Sequence, residues 1–251
     1  MGVALSGFAP IFYISAVTHE LTTMNHRYPQ PIVTVDIVLL TLRRRQLCAA
    51  LLERSHPPHA GEWTLPGGWV HTDEDEDALA SATRILKNKA GIESPYLEQL
   101  QTFANRHRDS RGWSVSIAYY ALVPSELIAT DSPLKWRPVD AIRSLPFDHL
   151  QILRTAVDRV RSKTLYSSLP LHLMPKTFTL SELQQVYEEV LGGPLDKRSF
   201  RRRIEEMDVV EPVPGALASS SGPGRPAQRY RIQRRHERRL AIVDKNIGLK
   251  E

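Results

Sequence analysis

Three arginines, an aspartate and a tryptophan crowd into the stretch Arg106-His107-Arg108-Asp109-Ser110-Arg111-Gly112-Trp113. Guanidinium groups fork onto phosphate oxygens through paired hydrogen bonds, and an indole offers a stacking face or core bulk. Arg106, Arg108 and Arg111 are therefore candidates for holding a phosphate-bearing ligand. The competing reading is internal: Asp109 and Arg111 pair within a hairpin turn, and Trp113 is core. A second acidic concentration, Asp73 to Asp77, precedes a helical pattern. It serves either as a loop favouring the positive end of that helix or as a site for a hard cation.

The other chemically loaded stretch is Lys197-Arg198-Ser199-Phe200-Arg201-Arg202-Arg203. Phe200, Ile204 and Met207 recur at i, i+4 and i+7 and form a core face. At 100° per residue, Arg198 and Arg202 point away from it, with Arg201 and Arg203 on the flanks. The first pair suits base edges in a major groove, and the flanking pair suits phosphates. Cations gather at the start of this helix and Glu205, Glu206 and Asp208 at its end, against the preference of the helix dipole. That order is reasonable where a phosphate backbone meets the helix; a charged, solvated helix is the plainer alternative. Downstream, Arg225 sits in Gly224-Arg225-Pro226-Ala227, at a tip suited to a minor groove or a phosphate.

The elements that position these groups are legible from periodicity. Val33 to Leu42 and Leu47 to Glu53 read as buried strands, Tyr96 to Arg106 and Trp113 to Val123 as alternating ones, and Lys135 to Pro138 as a short one. Helices are expected over Ala78–Ala90, with Leu79, Ala82 and Leu86 on one face and Gly91 as the stop, and over Phe147–Lys163. Further on, Thr179–Leu191 is helical, capped by Thr179 or Ser181. Gly192-Gly193-Pro194 turns the chain into the helix Asp196–Met207. A Pro/Gly/Ser-rich loop from Pro212 to Pro226 then leads to the strand Gln228–Ile232. Helix, turn, helix and a long loop between short strands is the pattern of a winged helix-turn-helix.

Residues 1–162 carry no net charge, and the whole formal +5 of the 251-residue chain sits in residues 163–251. A neutral front and a basic back point to a polyanion partner for the last third alone. The single cysteine, Cys48, excludes a disulfide framework and fits a reducing, cytoplasmic setting. The apolar opening from Gly2 to Val17 lacks a basic flank and is broken by Gly7 and Pro10, so neither a signal peptide nor a membrane span is expected. The division expected is a weakly packed extension (1–30), a first domain (31–161), a second (162–233) and a basic tail (234–251).

Leu65-Pro66-Gly67-Gly68-Trp69-Val70, followed by an acidic segment, Arg84, and Ala90-Gly91-Ile92, resembles the Nudix box, with two extra residues between Gly68 and Glu76. Arg54 matches the strand that precedes the box. Arg106 to Trp113 is similar to a segment of the Nudix-related transcriptional regulators, the NrtR family. The Ser199–Arg203 helix, the Gly224–Ala227 wing and Phe147-Asp148-His149-Leu150 match that family too. The resemblance implies an α+β chain: a Nudix-fold α/β/α sandwich followed by a winged helix-turn-helix. The family's metal-binding glutamates fall on Ile85, Asn88 and Lys89, so hydrolysis is not expected, and no catalytic, metal or cofactor residue is assigned. What it implies instead is a homodimeric repressor of NAD-biosynthesis or salvage genes, bound to double-stranded operator DNA and released by ADP-ribose or a related NAD metabolite. Effector binding would then fall to Arg54, Gly67, Gly68, Arg106, Arg108, Asp109, Arg111 and Trp113. DNA binding would fall to Lys197, Arg198, Ser199, Arg201, Arg202, Arg203 and Arg225. The rivals are a Nudix hydrolase using the shifted acidic cluster, and a related regulator of sugar catabolism.

Overall fold

The computed structural model describes residues 30–93, 96–217 and 226–236; the expectations for residues 1–29, for Arg225 and for most of the basic tail lie outside them. The centre of the first domain is β1 (Ile32–Arg43). It runs parallel to β6 (Ser114–Leu122) over Ile32–Leu40, and β6 continues antiparallel to β5 (Tyr96–Asn105). On its other side β1 meets β4 (Gly67–Trp69) first and then β2 (Gln46–Glu53), both antiparallel. The short β3 (Trp63–Thr64) and β7 (Lys135–Pro138) complete the sheet on β2.

Alternation along β1 decides what lies above and below. Val35, Ile37 and Leu39 face helix α1 (Ala78–Ile85), while Val38 and Leu40 face helix α2 (His149–Thr164). A strand buried on both faces must be apolar throughout, which is why the sequence shows a continuous run there. Helix, sheet and helix make the expected α/β/α sandwich. Asp77 caps α1 by accepting from the Ala80 amide at 2.7 Å. The helix continues as a π-helical turn, Leu86–Ala90, and Gly91 ends it at φ +63°. One expectation fails: Leu79 is 47% exposed. The buried arc of α1 is centred on Ser81, Ala82 and Ile85, and Leu79 lies roughly a quarter-turn from its middle at about 100° per residue.

The second domain opens with a 3-10 turn, Leu169–Leu173, followed by α3 (Leu180–Leu191) and α4 (Lys197–Met207). Thr179 and Glu182 form a reciprocal capping box on α3, which satisfies two otherwise orphaned amides. Phe178, Tyr187, Phe200 and Ile204 make the core of this domain. Part of the stretch read as loop is strand instead. β8 (Val210–Leu217) pairs antiparallel with β9 (Gln228–Ile232), with a register break between Pro212 and Leu217. A two-stranded ribbon tolerates proline because outward-facing amides have no ladder partner to lose.

The two domains share packing. Leu169, Leu173 and Val190 belong to the same core cluster as Val157 and Val160 of α2. The Tyr187 hydroxyl donates to the Ser167 carbonyl at 3.0 Å, and Arg45 of the β1–β2 turn pairs with Glu189 at 3.3 Å. At this junction Lys163 pairs with Glu98 at 2.6 Å, and the His172 ring lies 4.7 Å from that of Tyr96.

Burial pushes the His172 imidazole down to about 4. It is neutral in the folded protein, whereas an unfolded chain takes up the proton near pH 6.5. Stability is therefore fully present above pH 6.5 and is lost as pH falls toward 4, by up to about 3 kcal/mol. Urea unfolding at pH 7 and pH 4.5 should show a smaller acid loss for His172→Leu than for the wild type; equal losses would remove His172 from the junction's energetics.

Candidate functional site

A cavity of about 770 Å³ opens between β1, the β2–β3 loop, the Gly67–Trp69 strand, α1 and the start of α2. Its floor carries Asp36, a carboxylate inside β1. Asp36 accepts from Ser116 Oγ at 2.6 Å and from Arg108 at 3.4 Å, and His149 Nε2 lies 3.5 Å away. Arg108 in turn forks onto Asp148, with Nε and Nη2 both at 2.9 Å. His149 accepts the Leu65 amide at Nδ1, and burial holds its pKa below the ordinary histidine value. Gly67 must be glycine here, because a Cβ would fall on the Asp36 carboxylate and against the Val35 carbonyl.

The wall is cationic and aromatic. Arg54, after β2, donates to the Pro58 carbonyl at 2.6 Å and lies 5.2 Å from the Phe147 ring. Arg111 pairs with Asp109 at 2.6 Å and lies 5.6 Å from the Trp69 ring. Hydrogen bonds from Arg111 hold the Asp109 carboxyl below the usual carboxylate range. Arg84 of α1 forks onto Asp75, which its hydrogen bonds keep well below the usual carboxylate range. Lys89 donates to the Gly67 carbonyl across the cavity mouth. The acidic run thus acts as a cap through Asp77 and a clamp through Asp75. Among the described residues, no group of three acidic, histidine or cysteine side chains is placed to hold a metal.

Of the candidate ligand residues, Arg54, Gly67, Gly68, Arg108, Asp109 and Arg111 all line the cavity. Two do not. Asn105 Oδ1 accepts the amides of His107 and Arg108, a turn that directs Arg108 inward and leaves Arg106 outside and exposed. Trp113 is 49% exposed and outside the lining, neither core nor a stacking wall. It sits just before β6 at the sheet's end, where its carbonyl accepts from Ile32. The ring in the cavity is Trp69, 57% exposed. Arg108 is also more committed than its sequence position implies, since both of its acidic partners are internal. Asp36, Phe147 and His149 were not assigned from sequence; the signal for Asp36 was one carboxylate inside an otherwise apolar strand.

In the second domain, Phe200, Ile204 and Met207 face the core as their spacing dictates. Lys197, Arg198, Ser199, Arg201 and Arg202 are exposed. Arg203 is half-buried and bound to Glu206 at 3.0 Å, with Arg202 at 3.7 Å from the same residue. Asp196 caps α4 through the Ser199 amide at 2.9 Å, placing an anion where the helix dipole favours one and offsetting part of the basic crowding.

Removing Arg108 should leave Asp36 and Asp148 without their shared counter-charge. Arg108→Met is expected to cost about 3–5 kcal/mol in urea unfolding, and Arg106→Ala within about 0.5 kcal/mol. Similar losses for both would contradict this division of roles.

Comparison with known proteins places these features in context. A family model for the Nudix domain matches residues 30–163, and one for the NrtR DNA-binding winged helix domain matches residues 170–232. The chain is 41% identical to an ADPR responsive transcriptional repressor of Acinetobacter baylyi, over 82% of this chain and 83% of that protein. It is 28% identical to an ADP-ribose pyrophosphatase of Methanocaldococcus jannaschii, over 51% of this chain and 73% of that one. Among solved structures, Shewanella oneidensis NrtR complexed with a 27mer DNA superimposes with a TM-score of 0.78 at 38% identity, covering 86% of this chain and 99% of that one.

Proposed function

The chain belongs to the NrtR family, a Nudix domain joined to a DNA-binding winged helix, and on that footing we infer that it is a transcriptional repressor released from its operator by ADP-ribose or a related NAD metabolite. The observation that carries this reading is the cavity itself: arginines and an open indole stand where a nucleoside diphosphate would need them, and α2 starts in its wall. That helix ends in the core shared with the winged helix. The resemblance extends the reading to genes of NAD biosynthesis or salvage. It also extends to a homodimer, because two-fold operators are read by two recognition helices about one turn apart. The described residues contain no helix long and apolar enough to cross a membrane, and a DNA-bound repressor works in the cytoplasm.

The same cavity supports binding without turnover. Ile85, Asn88 and Lys89 stand where the family pattern places metal-gathering glutamates. Hard cations need several carboxylate oxygens on one spot, and the cavity's Asp36 and Asp109 are already held by Arg108 and Arg111. The purified protein should not hydrolyse ADP-ribose in millimolar Mg²⁺ or Mn²⁺; steady turnover that disappears in Glu76→Gln would favour the hydrolase.

On α4 the Arg202 side chain is 76% exposed, with Arg198 on the same outward face. Arg202→Ala should weaken operator binding by about 1–3 kcal/mol and relax base preference. Arg201→Ala should instead weaken all sequences alike and flatten the salt dependence. Unchanged operator affinity in Arg202→Ala would show that this face does not read bases.

Release also has a thermodynamic signature. A ligand frees DNA only by binding the free conformation more tightly, and operator must then weaken ligand binding by the same factor. A tenfold to hundredfold switch corresponds to about 1.4–2.8 kcal/mol of coupling. Operator affinity with and without ADP-ribose, and ADP-ribose affinity with and without operator, should give one shared factor. Tight ADP-ribose binding with no coupling in either direction would exclude it as the effector.

A further inference from the structure

Two cations of the cavity differ from the others in their partners. Arg84 is bound by Asp75, Arg108 by Asp148 and Asp36, and Arg111 by Asp109. Lys89 donates to the Gly67 carbonyl, and Arg54 to the carbonyls of Pro58 and Pro57. Among the described residues neither has a carboxylate within ion-pairing distance. Carbonyl oxygens are neutral, so both charges remain uncompensated in one concavity. They also repel: burial and then the Arg54 charge hold the Lys89 ammonium below the ordinary lysine range. Burial and the Arg111 charge act the same way on Arg54. Uncompensated like charges gathered in a cleft attract an anion of matching charge.

Their placement sharpens the point. Lys89 lies in the π-helical turn, on the helix where the Nudix pattern has glutamates that gather a divalent ion. Its ammonium reaches across to the Gly67-Gly68 turn, within 3.7 Å of where a Gly68 Cβ would stand, beside the buried Ile85. The residues present do not fit a metal there. An ammonium carries three donors, so Lys89 keeps its bond to Gly67 and still offers two to an incoming oxyanion. Arg54 adds the fork geometry that phosphate oxygens prefer.

We propose that Lys89 and Arg54 form a metal-independent subsite for the diphosphate of the effector, the lysine ammonium supplying the positive charge that a divalent ion supplies in a Nudix enzyme. This rests on the reading above that the cavity receives a nucleoside diphosphate. It adds a selection rule: ligands carrying a diphosphate bind, uncharged nucleosides do not profit from the subsite, and chelators leave binding intact.

The test is calorimetric titration of wild type, Lys89→Met and Lys89→Arg with three probes: ADP-ribose, inorganic pyrophosphate and adenosine. ADP-ribose is measured with EDTA and again with millimolar Mg²⁺; thermal unfolding confirms that each variant is folded. Wild type should bind ADP-ribose equally with Mg²⁺ or EDTA, within about twofold. Lys89→Met should weaken ADP-ribose and pyrophosphate by about tenfold or more, leaving adenosine unchanged, while Lys89→Arg restores most of the loss. Abolition of wild-type binding by EDTA, or Lys89→Met binding like wild type, would overturn the proposal. Pyrophosphate separates the two readings: Lys89-dependent pyrophosphate binding without ADP-ribose binding upholds the subsite and removes ADP-ribose as effector. Binding of ADP-ribose that ignores Lys89 removes the subsite and leaves the effector.

Discussion

An ionised carboxylate inside a sheet is costly unless charge and hydrogen bonds answer it, and Asp36 occupies such a place, 5% exposed in the central strand. Its neighbours are arranged around that requirement. Ser116 reaches it from β6, Arg108 from the β5–β6 loop and His149 from the first turn of α2. Arg108 carries the tie onward to Asp148, at the start of the same helix. The sheet, the arginine-rich loop and the helix that leads to the second domain are thus fastened at one point. A cavity at that point is a place where a ligand's charge competes with internal pairs.

The same fastening bears on how a ligand is felt at a distance. Phe147 lines the cavity at φ +56°, a backbone region unfavourable for a bulky residue, with its ring against His59, His149 and Arg54. Strain of this kind persists where the surroundings over-determine it. From Phe147 the chain enters α2, whose far end carries Val157, Val160 and Lys163 into the junction with the winged helix. A shift at the start of a rigid helix is delivered at its end, so the pocket and the reading head share one mechanical element.

Much of this was legible in the sequence because it rests on periodicity and punctuation. The doubly buried β1 announces itself as a continuous apolar run, α4 by Phe200, Ile204 and Met207, and the end of α1 by Gly91. What was not legible depends on where a turn aims its side chains. Arg106 and Arg108 are two residues apart in a strand-like stretch and would share a face, yet an Asn105-centred turn parts them. Trp69 and Trp113 exchange their expected roles because one follows the Gly67-Gly68 turn into the cavity mouth and the other ends on the sheet's edge. Pro212 and Pro214 marked a loop by composition, and the ribbon they join tolerates them.

Lys89 shows how a lost function and a gained one can occupy a single position. Read against the family pattern, it is a missing metal ligand, an absence. Placed beside Arg54 in a cavity where every other cation has its own carboxylate, it is an uncompensated charge, and charge without a partner at a cleft is a positive statement about the ligand. The substitution that removes hydrolytic metal also removes dependence on metal for binding. A receptor gains from that exchange what an enzyme would lose: the bound diphosphate is held by fixed protein charge, with no ion present to activate water against it.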